Sequence, residues 1–155
     1  MSTCCADLLE LKSFQEISLI AGKKGLYRQI TWPFICTTQT ISQWIHGGEL
    51  LFVTGAGIKS DETSLLQLVQ ESIEKGISAI VILKGDNYIP TIPDSLIDLS
   101  NRSLFPLFGM PWTLKLIDVT QKVSQIIIIN HYQSKKHMLF LEQLLFSDLQ
   151  TRDFE

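Results

Sequence analysis

The stretch Gly47-Gly48-Glu49-Leu50-Leu51-Phe52-Val53-Thr54-Gly55-Ala56-Gly57 decides the fold. A glycine pair, an apolar run and a second glycine-bearing segment read as turn, buried strand, turn. Downstream the same rhythm repeats with helical segments between. Ala79 to Leu83 is a continuous apolar run without polar alternation, the pattern of a strand covered on both faces. Leu104 to Phe108 is a third such run, stopping at Gly109-Met110-Pro111-Trp112. Between the first two, Ser60 is placed to cap a helix with Asp61 and Glu62 in its first turn. Leu65, Leu66, Val69 and Ile73 form its buried face, Glu71 and Lys75 pair outside, and Gly76 sits just past the end. A second helix takes Pro93 at its first position, turns Leu96, Ile97 and Leu99 inward and ends near Asn101. Strand, helix, strand, helix, strand predicts an α/β domain: a small parallel or mixed sheet with a β-α-β-α-β core flanked by helices.

Upstream, Ser2 or Thr3 can cap a short helix through Asp7, Leu8, Leu9 and Leu11. A strand over 17–20 and a polar turn with Gly22 and Gly25 follow. The next strand, over 30–36, alternates Ile30, Trp32 and Phe34, and Pro33 confines it to an edge or a bulge. A single helical turn is expected over 40–44. Beyond Trp112, helical spacing runs from Ile117 through Val123 to Ile126 or Ile127. A second stripe, Met138, Leu141, Leu145 and Leu149, follows a polar segment over 130–136. The expected division is a domain over 1–132 and a C-terminal helical extension over 133–155, which looks like a stalk cut from something longer.

Composition narrows the function classes. The 155 residues are 45% hydrophobic, enough for one core, and carry a formal net charge of −3 with no basic stripe to neutralise phosphates. Direct nucleic-acid binding by this segment is not expected. No apolar run approaches the ~20 residues of a membrane span, and no secretory leader opens the sequence, which points to a cytoplasmic protein. Three cysteines and three histidines have no metal-ligand spacing, so neither a metal nor a cofactor is expected.

Ligands of open parallel sheets bind outside the carboxyl ends of the strands. Those ends would bring Thr54, Gly55 and Gly57 together with Lys84, Asp86 and Trp112 around a glycine-walled recess. Glycines after strands also serve simply as tight turns, and Trp112 could equally be rim packing. Glu49, entering the first strand, is either a ligand-contacting carboxylate or a cap on neighbouring N–H groups. Gly55-Ala56-Gly57-Ile58-Lys59-Ser60 lacks the third glycine of a dinucleotide fingerprint and the Gly-Lys-Ser/Thr of a P-loop. No Gly-x-Ser-x-Gly elbow or Cys/His pair is present, leaving His46 as an isolated candidate base. Catalysis is therefore not expected.

Trp44-Ile45-His46-Gly47-Gly48-Glu49-Leu50 with Thr54-Gly55, and Met110-Pro111-Trp112-Thr113-Leu114-Lys115-Leu116-Ile117-Asp118-Val119-Thr120 in the same order, resemble the N-terminal domain of the PucR family. This is a family of bacterial transcriptional regulators named for purine catabolism. The resemblance covers about Cys5 to Tyr132. Val53 departs from it, since the family usually has a second threonine before Thr54. The resemblance implies a non-catalytic regulatory domain that senses a small nitrogen-containing metabolite, with the helix-turn-helix DNA-binding domain elsewhere in the protein. A homodimer through the C-terminal helix is the expected assembly. The alternatives are an interaction module without a small ligand, and a small hydrolase acting on purine-derived amides.

Overall fold

The computed structural model describes residues 2–41, 45–87 and 89–154, with the side chains of 134–138, 140–141 and 145–154 outside that description. The helical turn expected over 40–44 therefore falls largely outside the described residues, as do the side chains of the Met138, Leu141, Leu145 and Leu149 stripe.

Five strands form one mixed sheet: β1 (Ser18–Ala21), β2 (Pro33–Cys36), β3 (Leu50–Val53), β4 (Ala79–Lys84) and β5 (Leu107–Pro111), in the order β1-β5-β4-β3-β2. β2 to β5 run parallel, and β1 joins the far side antiparallel to β5. The helices are α1 (Cys5–Leu8), α2 (Glu62–Glu74), α3 (Asp94–Arg102) and α4 (Leu116–Phe154). The expected α/β core and C-terminal helical extension are both present.

Strand parity builds two cores. Leu51 and Val53 of β3, with Ile80 and Ile82 of β4, face Leu65, Leu68 and Val69 of α2 and Leu96 of α3. Leu50 and Phe52, with Ala79, Val81 and Leu83, face Cys5 and Leu8 of α1, Phe14, and Val119 and Val123 of α4. Both faces are covered, which is why these strands read as unbroken apolar runs. Each large side chain fully buried here contributes about 1.5–3 kcal/mol of transfer free energy. Phe14 meets Phe108 edge to face at 5.9 Å between ring centroids.

Several local expectations are corrected. α2 is capped by Asp61 and not Ser60: the Asp61 carboxylate accepts the Ser64 N–H at 3.1 Å and the Ser64 hydroxyl at 2.8 Å. Those two bonds hold its pKa below the usual carboxylate value. Gly76 follows the helix at φ 79°, as its place in the sequence requires. Glu71 does not simply face outward, because its Oε1 accepts the Ile41 N–H at 3.1 Å. α1 is capped at Cys4, whose N–H donates to Asp7 Oδ2 at 2.9 Å, and not at Ser2 or Thr3. Pro93 is the N-cap residue of α3 and not its first helical position. Ile30 and Phe34 pack on opposite faces of the sheet and Trp32 is exposed, so the expected alternation before β2 does not form.

The run at Leu104 starts three residues too early. Leu104 lies at φ 52° past the end of α3, its carbonyl accepting Arg28 Nε at 2.9 Å, and β5 begins only at Leu107. At the other end β5 continues through Gly109 and Met110, which the sequence assigned to a loop. A Cβ on Gly109 would lie 2.6 Å from Ile20 Cδ1, the movable end of a side chain on neighbouring β1, so the glycine leaves that side chain its room.

Candidate functional site

The parallel strands bring every expected site residue except Glu49 to one edge of the sheet. At that carboxyl edge Thr54 follows β3, Lys84 closes β4, and Trp112 follows β5. The polar atoms are largely occupied in making turns. Thr54 Oγ1 accepts the Ala56 N–H at 3.2 Å. The Lys84 carbonyl accepts the Trp112 N–H at 3.0 Å, and the Gly85 N–H donates to the Ile89 carbonyl at 3.2 Å. A Cβ on Gly57, whose φ is 76°, would stand 2.0 Å from the Thr37 carbonyl oxygen. A Cβ on Gly85 would stand 2.8 Å from Trp112 Cδ1, so the indole lies directly on that turn while remaining 60% exposed. The Lys84 and Asp86 side chains are exposed.

Among the described strands, β2 to β5 lie in the sheet in chain order, and α2 and α3 pack on the same face. Crevices at the carboxyl edge of such sheets open where strand order reverses, and this order contains no reversal among its parallel strands.

Glu49 stands at the opposite, amino edge. It is 7% exposed, its Oε2 accepts the His46 N–H at 2.8 Å, and its carbonyl accepts the Ser78 N–H at 2.9 Å. It is thus buried and a cap at once. Its Oε1 is buried with no hydrogen-bond partner among the described residues.

The same amino edge carries a groove of about 840 Å³ that the sequence did not disclose. Its body side is formed by Ser2, Thr3 and the segment Gln29 to Trp32, and its helix side by Ile127, Ile128, His131 and Tyr132 of α4. Asn130 Nδ2 donates to Thr3 Oγ1 at 2.8 Å and joins the two sides. Trp32 is 47% exposed and Tyr132 63%. Among the described residues, none that lines it is ionisable near neutral pH apart from His131. Three distant segments meet here, so no local motif could announce the groove. The weak signals were a tryptophan before the Pro33 of an edge strand and a tyrosine where the helix leaves its apolar packing.

Two thiols are buried. Burial, reinforced by neighbouring Cys4, pushes the Cys5 thiol up to about 12, and burial likewise raises Cys36. Among the described residues no three His, Cys, Asp or Glu side chains gather in a way that could hold a metal ion. Among the described residues no helix is long and apolar enough to cross a membrane.

The sheet covered on both faces, with a last helix that continues beyond it, defines a small α/β domain with a helical extension. The chain belongs to the purine catabolism regulatory protein-like family, whose pattern matches residues 7–127. It is 27% identical over 113 residues to the purine catabolism regulatory protein of Bacillus subtilis (strain 168), an alignment covering 73% of this chain and 21% of that protein. It is 26% identical over 102 residues to the transcriptional activator PmfR of Paenarthrobacter nicotinovorans, covering 65% of this chain and 21% of that one. The chain spans about a fifth of the length of the curated relatives it matches. The family match ends at Ile127, where α4 still packs on the sheet.

Proposed function

We propose that this chain is the regulatory input domain of a cytoplasmic transcription regulator, non-catalytic itself, which binds a small nitrogen-containing metabolite and passes the outcome along α4. DNA reading would belong to another part of such a regulator, in keeping with a net charge of −3 and no basic stripe. The relatives named as a purine catabolism regulator and a transcriptional activator support the regulatory role. The observation that carries the sensing role is the groove, where a structured body and the departing helix line one cavity of a size usual for small ligands. In this reading residues 1–132 are the sensor and 133–155 begin the linker, although the helix itself runs unbroken across that boundary.

The carboxyl-edge cluster of Thr54, Gly55, Gly57, Lys84, Asp86 and Trp112 is the rival location, and Glu49 belongs to neither. A melting-temperature screen over purines, ureides and amino acids tests the reading, repeated on Trp32→Ala and on Thr54→Ala/Trp112→Ala. A compound selective for the native state raises the melting temperature, and the variant that abolishes the rise names the location. A screen in which no compound raises it overturns the sensing role.

Homodimerisation through α4 is a second reading, favoured by the exposure of Ile128, Ile129, Leu139 and Leu144 along one helix of 39 residues. Sedimentation of the chain with and without 133–155 decides it, since a monomer in both cases removes the dimer.

A further inference from the structure

The groove has one side tied into the sheet and one side formed where α4 leaves it. On the tied side the Thr3 carbonyl accepts the Ile30 N–H at 2.7 Å, the Thr31 N–H donates to the Gly48 carbonyl at 2.8 Å, and the Ser78 hydroxyl donates to the Gln29 carbonyl. The first of these bonds joins two parts of the floor, and the other two tie it to the amino ends of β3 and β4. On the other side α4 packs on the sheet through Val119, Val123 and Ile127 and then departs. Ile128 and Ile129 point to different sides of the helix, yet they are 54% and 52% exposed, so little of the body lies beneath either. Among the described residues, the Asn130 bond to Thr3 is the hydrogen bond to the body that lies furthest along α4.

The lining also selects a chemistry. Among the described residues it contains no Asp, Glu, Lys or Arg, so a charged ligand would lose hydration without gaining a counter-charge from them. The faces of Trp32 and Tyr132 favour a flat π-system. Ser2, Gln29, Thr31 and His131 supply donors and acceptors suited to amide or ring nitrogen groups.

We propose that this groove binds an uncharged, planar, nitrogen-bearing heterocycle or aromatic amide, and that its occupancy clamps α4 to the body beyond Asn130. This rests on the sensing reading above and adds to it the class of ligand and the way binding is transmitted. An occupant touching both Thr31 or Trp32 and His131 or Tyr132 adds a link beside the Asn130 bond to Thr3. The helix beyond is then held at one angle to the sheet, and the clamp, not a change within the sheet, is the signal.

The test is hydrogen exchange on the 155-residue chain, with hypoxanthine and nicotinamide as neutral planar probes and aspartate and spermidine as charged, non-planar controls. At ten times its dissociation constant a neutral planar probe slows exchange of the α4 amides from 128 to 140 by about tenfold. Trp32→Ala and Tyr132→Ala, both at exposed positions that the fold tolerates, weaken that probe by about tenfold, whereas Trp112→Ala does not. A probe that raises the melting temperature while leaving 128–140 unprotected overturns the clamp and leaves the sensing reading standing. Binding of the charged controls alone overturns the ligand class. Loss of binding in Trp112→Ala but not in Trp32→Ala moves the site to the carboxyl edge and overturns the proposal. If neither set binds, the groove proposal fails, and the sensing reading falls with it only when the wider metabolite screen is also blank.

Discussion

The two edges of the sheet are built by opposite means. At the carboxyl edge, turns such as Thr54 to Gly57 and Lys84 to Asp86 reverse the chain within a few residues. Gly57 and Gly85 are there because backbone or an indole stands where a Cβ would be, and Gly55 lies at φ 89°. At the amino edge the enclosing parts come from residues far apart in sequence: the N-terminal segment, the approach to β2, and a helix that starts only after β5. Local chemistry makes the first edge conspicuous in sequence and keeps it tight. Long-range packing makes the second edge silent in sequence and leaves it open. Glycine after a strand therefore reports close approach of the chain to itself before it reports room for a ligand.

Substitutions at each edge measure that contrast, the largest effect first. Gly57→Ala forces a Cβ against the Thr37 carbonyl at a φ of 76°, and an expected loss of about 3 kcal/mol or more is read by urea unfolding. Gly48→Ala, at the amino edge, meets the Thr31 methyl at 2.8 Å with a φ of 83°. A side chain can shift where a carbonyl cannot, so about 1–2 kcal/mol is expected, chiefly from the left-handed backbone. Equal losses at the two positions would erase the distinction between the edges.

Glu49→Ala comes next. It removes the carboxylate that accepts the His46 N–H and is expected to cost about 1 kcal/mol, whereas Glu49→Gln keeps an acceptor in place and costs less. If the two variants unfold at the same urea concentration, the carboxylate is not a cap in solution. The smallest effect is read in the thiols, one at each edge. Cys5 donates weakly to the Ser78 carbonyl at the amino edge, and Cys36 does so to the Thr38 carbonyl at the carboxyl edge. Alkylation of the native chain should label Cys4 first, then Cys36, and Cys5 last, because Cys5 is the thiol pushed up to about 12. The raised value also sets the sign with pH. The unfolded chain loses the Cys5 proton near 9 and the folded chain only near 12, so stability falls as pH rises through that window. A melting temperature that stays level from pH 8 to 10.5 would contradict the burial of these thiols.

The α/β core was legible because it rests on local patterns. Leu50 to Val53 and Ala79 to Leu83 are apolar without alternation since helices cover both faces, and Gly76 marks the end of α2 as its φ demands. Errors arose where a competing local arrangement won. Asp61 outdid Ser60 as a cap because its carboxylate takes two bonds from Ser64, and Leu104 was lost to β5 because it continues the turn out of α3 beneath Arg28. The candidate site was legible only in part. Parallel strands do gather Thr54, Lys84 and Trp112 at one edge, yet Glu49 is a strand's length away from them, at the other end of β3. The contact of Asn130 with Thr3 spans nearly the whole chain, and no pattern of spacing encodes it.

α4 also has a mechanical meaning. From Asn130 to Phe154 a straight helix is ~36 Å long at about 1.5 Å per residue. A tilt of about 10° at the Asn130 joint would then carry the distal end through ~6 Å, more than one turn of helix. A displacement too small to disturb the sheet would thereby become a step of molecular size at the tip, and the stiffness of this one arm would decide how much of it arrives.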